Sequence, residues 1–216
     1  MRILFLSSLF SVLLALTAHA AEVQGRVLAV LPDLRSLEVE LTQSGDGELV
    51  AGATQTFRVG AGDLAIGYQG RLIKGNVAYY GKRWHLEQVF PLDGQGAKAA
   101  ADVNQQLHQT TASMSRRKFV KQGDYIPNFA MIDQHGDFVQ ARQLQGKPFV
   151  LNFIFTRCTV PTMCPASSTR MSTLQDAARE AGLDDLQFVT ITFDPAFDSP
   201  GILKQYAEGY GMEPEN

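Results

Sequence analysis

Cys158 and Cys164 are the only cysteines in the 216-residue chain, and both fall in the stretch PFVLNFIFTRCTVPTMCP, Pro148 to Pro165. Phe149 to Phe155 is a largely apolar run of β-branched and aromatic residues, which predicts a strand buried on both faces. Pro165 then suits the first turn of a helix. A strand that delivers a thiol to a helix start places sulfur beside unpaired backbone N–H groups and the positive end of the helix dipole. Thiolate is favoured there.

The elements that must hold this pair follow on either side. After Pro165, Met171, Leu174, Ala178 and Ala181 recur at helical spacing, and Gly182 suits the position that ends the helix. Leu186 to Phe193, LQFVTITF, predicts a second strand ended by Asp194-Pro195. Ser199-Pro200 then caps and starts another helix, with Ile202, Leu203 and Tyr206 on its apolar side. Strand, helix, strand, helix makes an α/β unit with parallel strands and a right-handed crossover. Before it, Phe129 to Asp133 and Phe138-Val139 form a short hairpin around Gly136, placed to cover one sheet edge. His135 at the hairpin tip is expected to be exposed, as a turn residue rather than a ligand. The final GMEPEN, Gly211 to Asn216, makes neither a strand nor a capped end, so the domain reads as incomplete at its C-terminus.

The first half is organised differently. Residues 1–20 carry Arg2, an apolar run and Ala18-His19-Ala20 before Ala21, the pattern of a cleaved secretory signal. Export to the periplasm is the expected destination, and two neighbouring cysteines can oxidise there. Residues 21–93 read as five short strands, Val23 to Leu31, Ser36 to Leu41, Gln55 to Val59, Gly70 to Val77 and Arg83 to Phe90, with Gly60 to Gly62 among the turns. Such a run predicts a small all-β, OB-like barrel. Residues 94–122 read as a linker in which Ala97 to His108 favours a helix that packs little. His108 is expected to be solvated, and the second domain runs from 123 to 216. The formal charge is −3, and Arg116-Arg117-Lys118 is the only basic run, so no nucleic-acid partner is expected.

In combination, GDYIPNF, FTRC, MCP and TFDPAFDSPGILKQYA resemble the Sco/SenC family over about residues 123 to 211. That resemblance implies a thioredoxin-like fold and a copper chaperone, Cu(I) or Cu(II), for cytochrome c oxidase assembly. The implied partner is the oxidase's copper-bearing subunit or another periplasmic copper or thiol protein, and Cys158 and Cys164 are the implied metal ligands. Two features depart from the family. Five residues separate the cysteines here where three are usual, and the chain ends before the downstream histidine that serves as third ligand. Two thiolates are soft donors suited to Cu(I). The same pair would be the catalytic dithiol of a thiol-disulfide oxidoreductase, or a structural disulfide in a binding module. Arg157, next to the first sulfur, is a candidate for lowering its pKa, with an exposed side chain as the simpler reading. Asp194 and Asp198 read first as strand-end and helix-start residues. The barrel, through Thr56-Phe57-Arg58-Val59, is similar to small periplasmic copper-binding barrels of efflux systems, but Gln55 stands where a methionine ligand is expected. Trp84 and His85 on its last strand are read as packing residues.

Overall fold

The structure is a computed structural model describing residues 21–92, 95–112 and 120–212. Residues 1–20, read above as a secretory signal, the basic run and the last four residues lie outside them. Strands β1 (Ala21–Leu31), β2 (Ser36–Ser44), β3 (Thr54–Arg58), β4 (Leu72–Tyr80) and β5 (Arg83–Pro91) close into a barrel in the order β1-β2-β3-β5-β4. Closure joins β3 to β5 through a parallel bridge, Arg58 to His85, whereas the other neighbours are antiparallel. Alternating positions such as Val23 and Val27 on β1, and Val39 and Leu41 on β2, point into a core that also buries Leu37, Phe57, Ile73, Leu86 and Val89. Each such side chain removed from water contributes roughly 1.5–3 kcal/mol. Closing the barrel leaves no long edge exposed.

Gly60 to Gly62, expected as a turn, instead starts helix α1 (Ala61–Ile66) between β3 and β4. Its Asp63 is buried, and the Tyr68 hydroxyl lies 3.4 Å from both Asp63 Oδ1 and the Val89 carbonyl oxygen. Burial pushes the Asp63 carboxyl up to about 7, with the Tyr68 hydrogen bond acting in the opposite direction.

Helix α2 (Gln95–Ala112) is longer and better anchored than a linker composition suggests. Asn104 exchanges two hydrogen bonds with the backbone of Ala130, accepting from its N–H at 2.9 Å and donating to its carbonyl at 3.0 Å. One side-chain amide therefore does what a neighbouring strand would do. Strands β6 (Ala130–Ile132) and β7 (Phe138–Gln140) pair only with each other, so the hairpin is a separate two-stranded sheet and adds no hydrogen bonds to the edge of the parallel sheet. Its tip is not solvated as expected. Gly136 is buried against Tyr68 and Arg71 of the barrel, and Asp137 pairs with Arg71 at 3.6 Å.

The remaining elements are β8 (Phe149–Ile154), α3 (Cys164–Glu180), β9 (Gln187–Thr192) and α4 (Pro200–Gly209). β8 and β9 are parallel in the register Phe149↔Gln187 to Ile154↔Thr192, with α3 as the crossover. α3 buries Cys164, Ser168, Met171, Gln175 and Ala178, one stripe at spacings of four and three. Leu174, predicted on the apolar face, is exposed because that stripe runs through Ser168 and Gln175 instead. Gly182 ends α3 at φ +69°, with Leu183 N–H donating to Ala178 O at 2.9 Å and Gly182 N–H to Arg179 O at 3.1 Å. This is a Schellman cap.

A carboxyl whose pKa is higher folded than unfolded makes the native state the stronger proton binder. Stability is then fullest at low pH and falls as pH rises through the folded value. Urea unfolding followed through Trp84 should show Asp63→Asn gaining on the parent chain between about pH 4 and about pH 8, by on the order of 3 kcal/mol. An equal difference at both pH values would contradict the assignment.

Candidate functional site

The β8 strand ends at Ile154, which is fully buried, and hands the chain to Phe155, Thr156, Arg157 and Cys158. A tight turn follows, in which Cys158 N–H donates to Phe155 O at 3.1 Å. The loop closes with Met163 N–H on Val160 O at 3.0 Å, and Cys164 begins α3 with Pro165 behind it. Both thiols are free and their side chains hydrogen-bond to each other. The five-residue spacing therefore still brings the sulfurs together.

Their environments differ. Burial opposes ionisation of Cys158, but hydrogen bonds from the Cys164 side chain and from the backbone of Cys164 and Val160 outweigh it and hold this thiol below its usual value. Cys164 is 5 % exposed, and burial pushes its thiol up, helped by the neighbouring Cys158 sulfur and opposed by the backbone of Phe155. Cys158 is thus the half-exposed sulfur that ionises first, and Cys164 is its buried companion.

Arg157 is exposed, the simpler of the two sequence readings. Its guanidinium pairs with Asp194 at 2.5 Å and lies 4.2 Å over the Phe197 ring. The backbone and Cys164 account for the lowering at Cys158. Asp198, read as a helix-start residue, is 3 % exposed and accepts hydrogen bonds from Thr156 N–H at 3.1 Å and from the hydroxyls of Thr156 and Thr192. It joins the turn after β8 and the end of β9 to the start of α4. Ser199 occupies the N-cap position but its hydroxyl caps nothing, and this oxygen is buried without a partner. Behind Cys164, Ser168 Oγ and Tyr206 OH are 2.7 Å apart. Burial raises the Tyr206 phenol to about 12, and the Ser168 bond lowers it, while nearby Tyr210 and Cys164 raise it further.

Other candidates fall elsewhere. His135 is half-buried, with a ring nitrogen 3.0 Å from Gln134 Nε2. His85 stacks on Tyr80 at 3.5 Å, and Trp84 tilts against Tyr79 at 5.1 Å, as expected of packing residues. His108 is exposed. Among the described residues, no group of three or more His, Cys, Asp and Glu side chains is arranged to hold a metal ion. The candidate site is the pair Cys158 and Cys164. Sequence reasoning missed the Asp198 and Tyr206 contacts, because their partners Thr156 and Ser168 lie 42 and 38 residues away.

Comparison with known proteins bears on this half of the chain. Residues 118–214 match the SCO1/SenC family. The SCO1 protein homolog of Bacillus subtilis (strain 168) is 31% identical over 91 residues, covering 42% of this chain and 46% of the relative. A candidate copper-binding protein of Stutzerimonas stutzeri is 35% identical over 85 residues, covering 39% and 41%. The chain thus spans less than half the length of these relatives. Among solved structures, Bradyrhizobium japonicum ScoI with copper bound is 30% identical over 38% of this chain and 50% of that one, with a TM-score of 0.33.

Because the hydrogen bond from the Cys164 side chain is one of those that lower the Cys158 pKa, Cys164→Ala should move the alkylation profile of Cys158 to higher pH. Iodoacetamide trapping across a pH series reads this directly. In the parent chain Cys158 should label well before Cys164, and equal labelling would contradict the asymmetry.

Proposed function

We propose that this chain, whose residues 118–214 belong to the SCO1/SenC family, is an exported copper chaperone acting in assembly of the cytochrome c oxidase copper centre. Copper is cargo in this reading, carried by Cys158 and Cys164. The observation that carries it is the pair of hydrogen-bonded thiols at the start of α3, one of them already biased towards thiolate. Two soft, close sulfurs suit Cu(I) without a third ligand. The copper-binding name of the Stutzerimonas stutzeri relative supports the same cargo.

The chain's own residues supply the steps before transfer. Cys158, half-exposed, meets the incoming ion first. Cys164 must then lose a proton that burial holds on it, so loading releases protons and weakens as pH falls. The destination would be a thiol-bearing copper site on a partner such as the oxidase's copper-bearing subunit. The leader pattern in residues 1–20 supports export to the periplasm.

Two fold assignments belong to this reading. The order β1-β2-β3-β5-β4, with α1 between β3 and β4, supports an OB-like barrel. The β8-α3-β9-α4 succession, with the cysteines at the first strand-to-helix junction, supports a thioredoxin-like second domain.

The asymmetry of the pair also favours a second reading. An accessible low-pKa thiol beside a buried one is the arrangement of a thiol-disulfide oxidoreductase, with Cys158 attacking and Cys164 resolving.

Titration of the reduced chain with Cu(I) against a competing chelator separates the two. The chaperone reading expects one tightly held ion per chain, lost in both Cys158→Ser and Cys164→Ser and progressively weaker at lower pH. Copper that the chelator removes at once, together with rapid reduction of a disulfide substrate, would favour the oxidoreductase.

A further inference from the structure

The barrel and the cysteine-bearing half meet where α1 crosses α4. The crossing is backbone on backbone. A Cβ placed on Gly62 would lie 2.0 Å from the Gly201 carbonyl oxygen, and one placed on Gly201 would lie 2.2 Å from Asp63 Oδ1 and 2.6 Å from Asp63 N. Only glycine permits so close an approach at both positions. The Gln205 side chain of α4, in the amide orientation that satisfies both its ends, accepts from Ala61 N–H at 2.9 Å and Gly62 N–H at 3.2 Å. It therefore caps α1 from the other half of the molecule, satisfying two donors that a helix start leaves open.

α4 and the residues leading into it touch both cysteine-bearing segments. The residues leading into it hold the Cys158 loop at three points: Asp198 on the Thr156 amide and hydroxyl, Asp194 on Arg157, and Phe197 beneath the Arg157 guanidinium. Its Tyr206 bonds to Ser168, one turn beyond Cys164 on α3. The first turn of α4, Pro200-Gly201, is buried between these contacts and α1.

We propose that the barrel acts in cis as a positioning element for the dithiol, with Gly62 and Gly201 as the positioning residues that seat α4 and, through Asp198, the Cys158 loop. A seated α4 keeps the two thiols within hydrogen-bond reach of each other. When α1 is lifted, the Thr156 amide loses its fixed acceptor and the loop must be ordered again before the sulfurs can join, an entropic cost borne by the disulfide. The inference rests on the cysteine pair being the working site, as proposed above, but its readout needs no copper.

The test is the equilibrium in which the protein disulfide and two glutathione thiols give the protein dithiol and one glutathione disulfide, measured on the full chain in glutathione buffers. Gly62→Ala and Gly201→Ala each add one methyl that the crossing cannot accept, and alanine otherwise favours helix, so both chains should fold. Each should shift the equilibrium towards the dithiol by roughly fivefold or more. Hydrogen exchange at the Thr156 amide should quicken in parallel. Gly47→Ala, at a position with open space around it, should match the parent chain in both readouts. If Gly62→Ala fails to fold, Gly201→Ala carries the test alone. A folded seam variant with the parent's equilibrium constant overturns the proposal, and so does an unchanged Thr156 amide. Failure to bind Cu(I) together with a shifted equilibrium would refute the copper reading and leave this one standing.

Discussion

A buried carboxylate without a positive partner is costly unless hydrogen bonds replace the water it lost. Asp198 accepts three, two from Thr156, two residues beyond the end of β8, and one from Thr192, the last residue of β9. A two-stranded parallel sheet has few bonds of its own to fix where its strands stop. Here that end is fixed by one side chain arriving from the start of α4. The Thr192 hydroxyl extends the arrangement by accepting the Asp194 N–H at 3.0 Å. The Cys158 turn begins from a point that is already held, and the cysteine loop inherits its position from that point.

From that anchor the asymmetry of the thiols follows by ordinary electrostatics. A sulfur at a helix start is stabilised as thiolate only as far as N–H groups reach it and burial does not remove the water. Cys158 lies at the mouth of the loop and receives backbone donors together with its partner's thiol. Cys164 begins the helix yet sits under Ser168 and Tyr206, where loss of water dominates. The simple expectation that a helix-start position activates a thiol therefore applies to the cysteine outside the helix more than to the one inside it. The difference is one of depth, set by how α3 and α4 pack.

Much of the local structure was legible because local structure answers to local pattern. The barrel strands show period-two burial, Gly182 ends α3 where its positive φ is needed, and β8 and β9 fall on the β-branched runs. The cysteine pair was legible too, from the junction of strand and helix. What stayed hidden depends on partners distant in sequence. Gly60 to Gly62 looks like a turn because the side chain that caps α1 belongs to Gln205. The α2 segment looks unanchored because Asn104 bonds a strand 26 residues away. Leu174 looks buried, and the stripe that is buried instead contains Ser168 and Gln175, whose polarity conceals it.

The glycine crossing places a constraint on how the two halves could have been joined. A general, adhesive contact between a barrel and an α/β unit would tolerate side chains of varied size, trading one apolar surface for another. Contact between backbones tolerates none, since nothing there can rotate aside. The crossing also positions Asp63 against the first turn of α4, and the loss of water that comes with that placement keeps its carboxyl protonated well above the usual carboxylate range. Such a seam costs stability at neutral pH, where the group must either hold its proton or ionise out of water. A mere tether between domains would need neither the fit nor that cost. The geometry instead suits a contact whose position matters, and the structure on the far side of α4 whose position matters most is the cysteine loop.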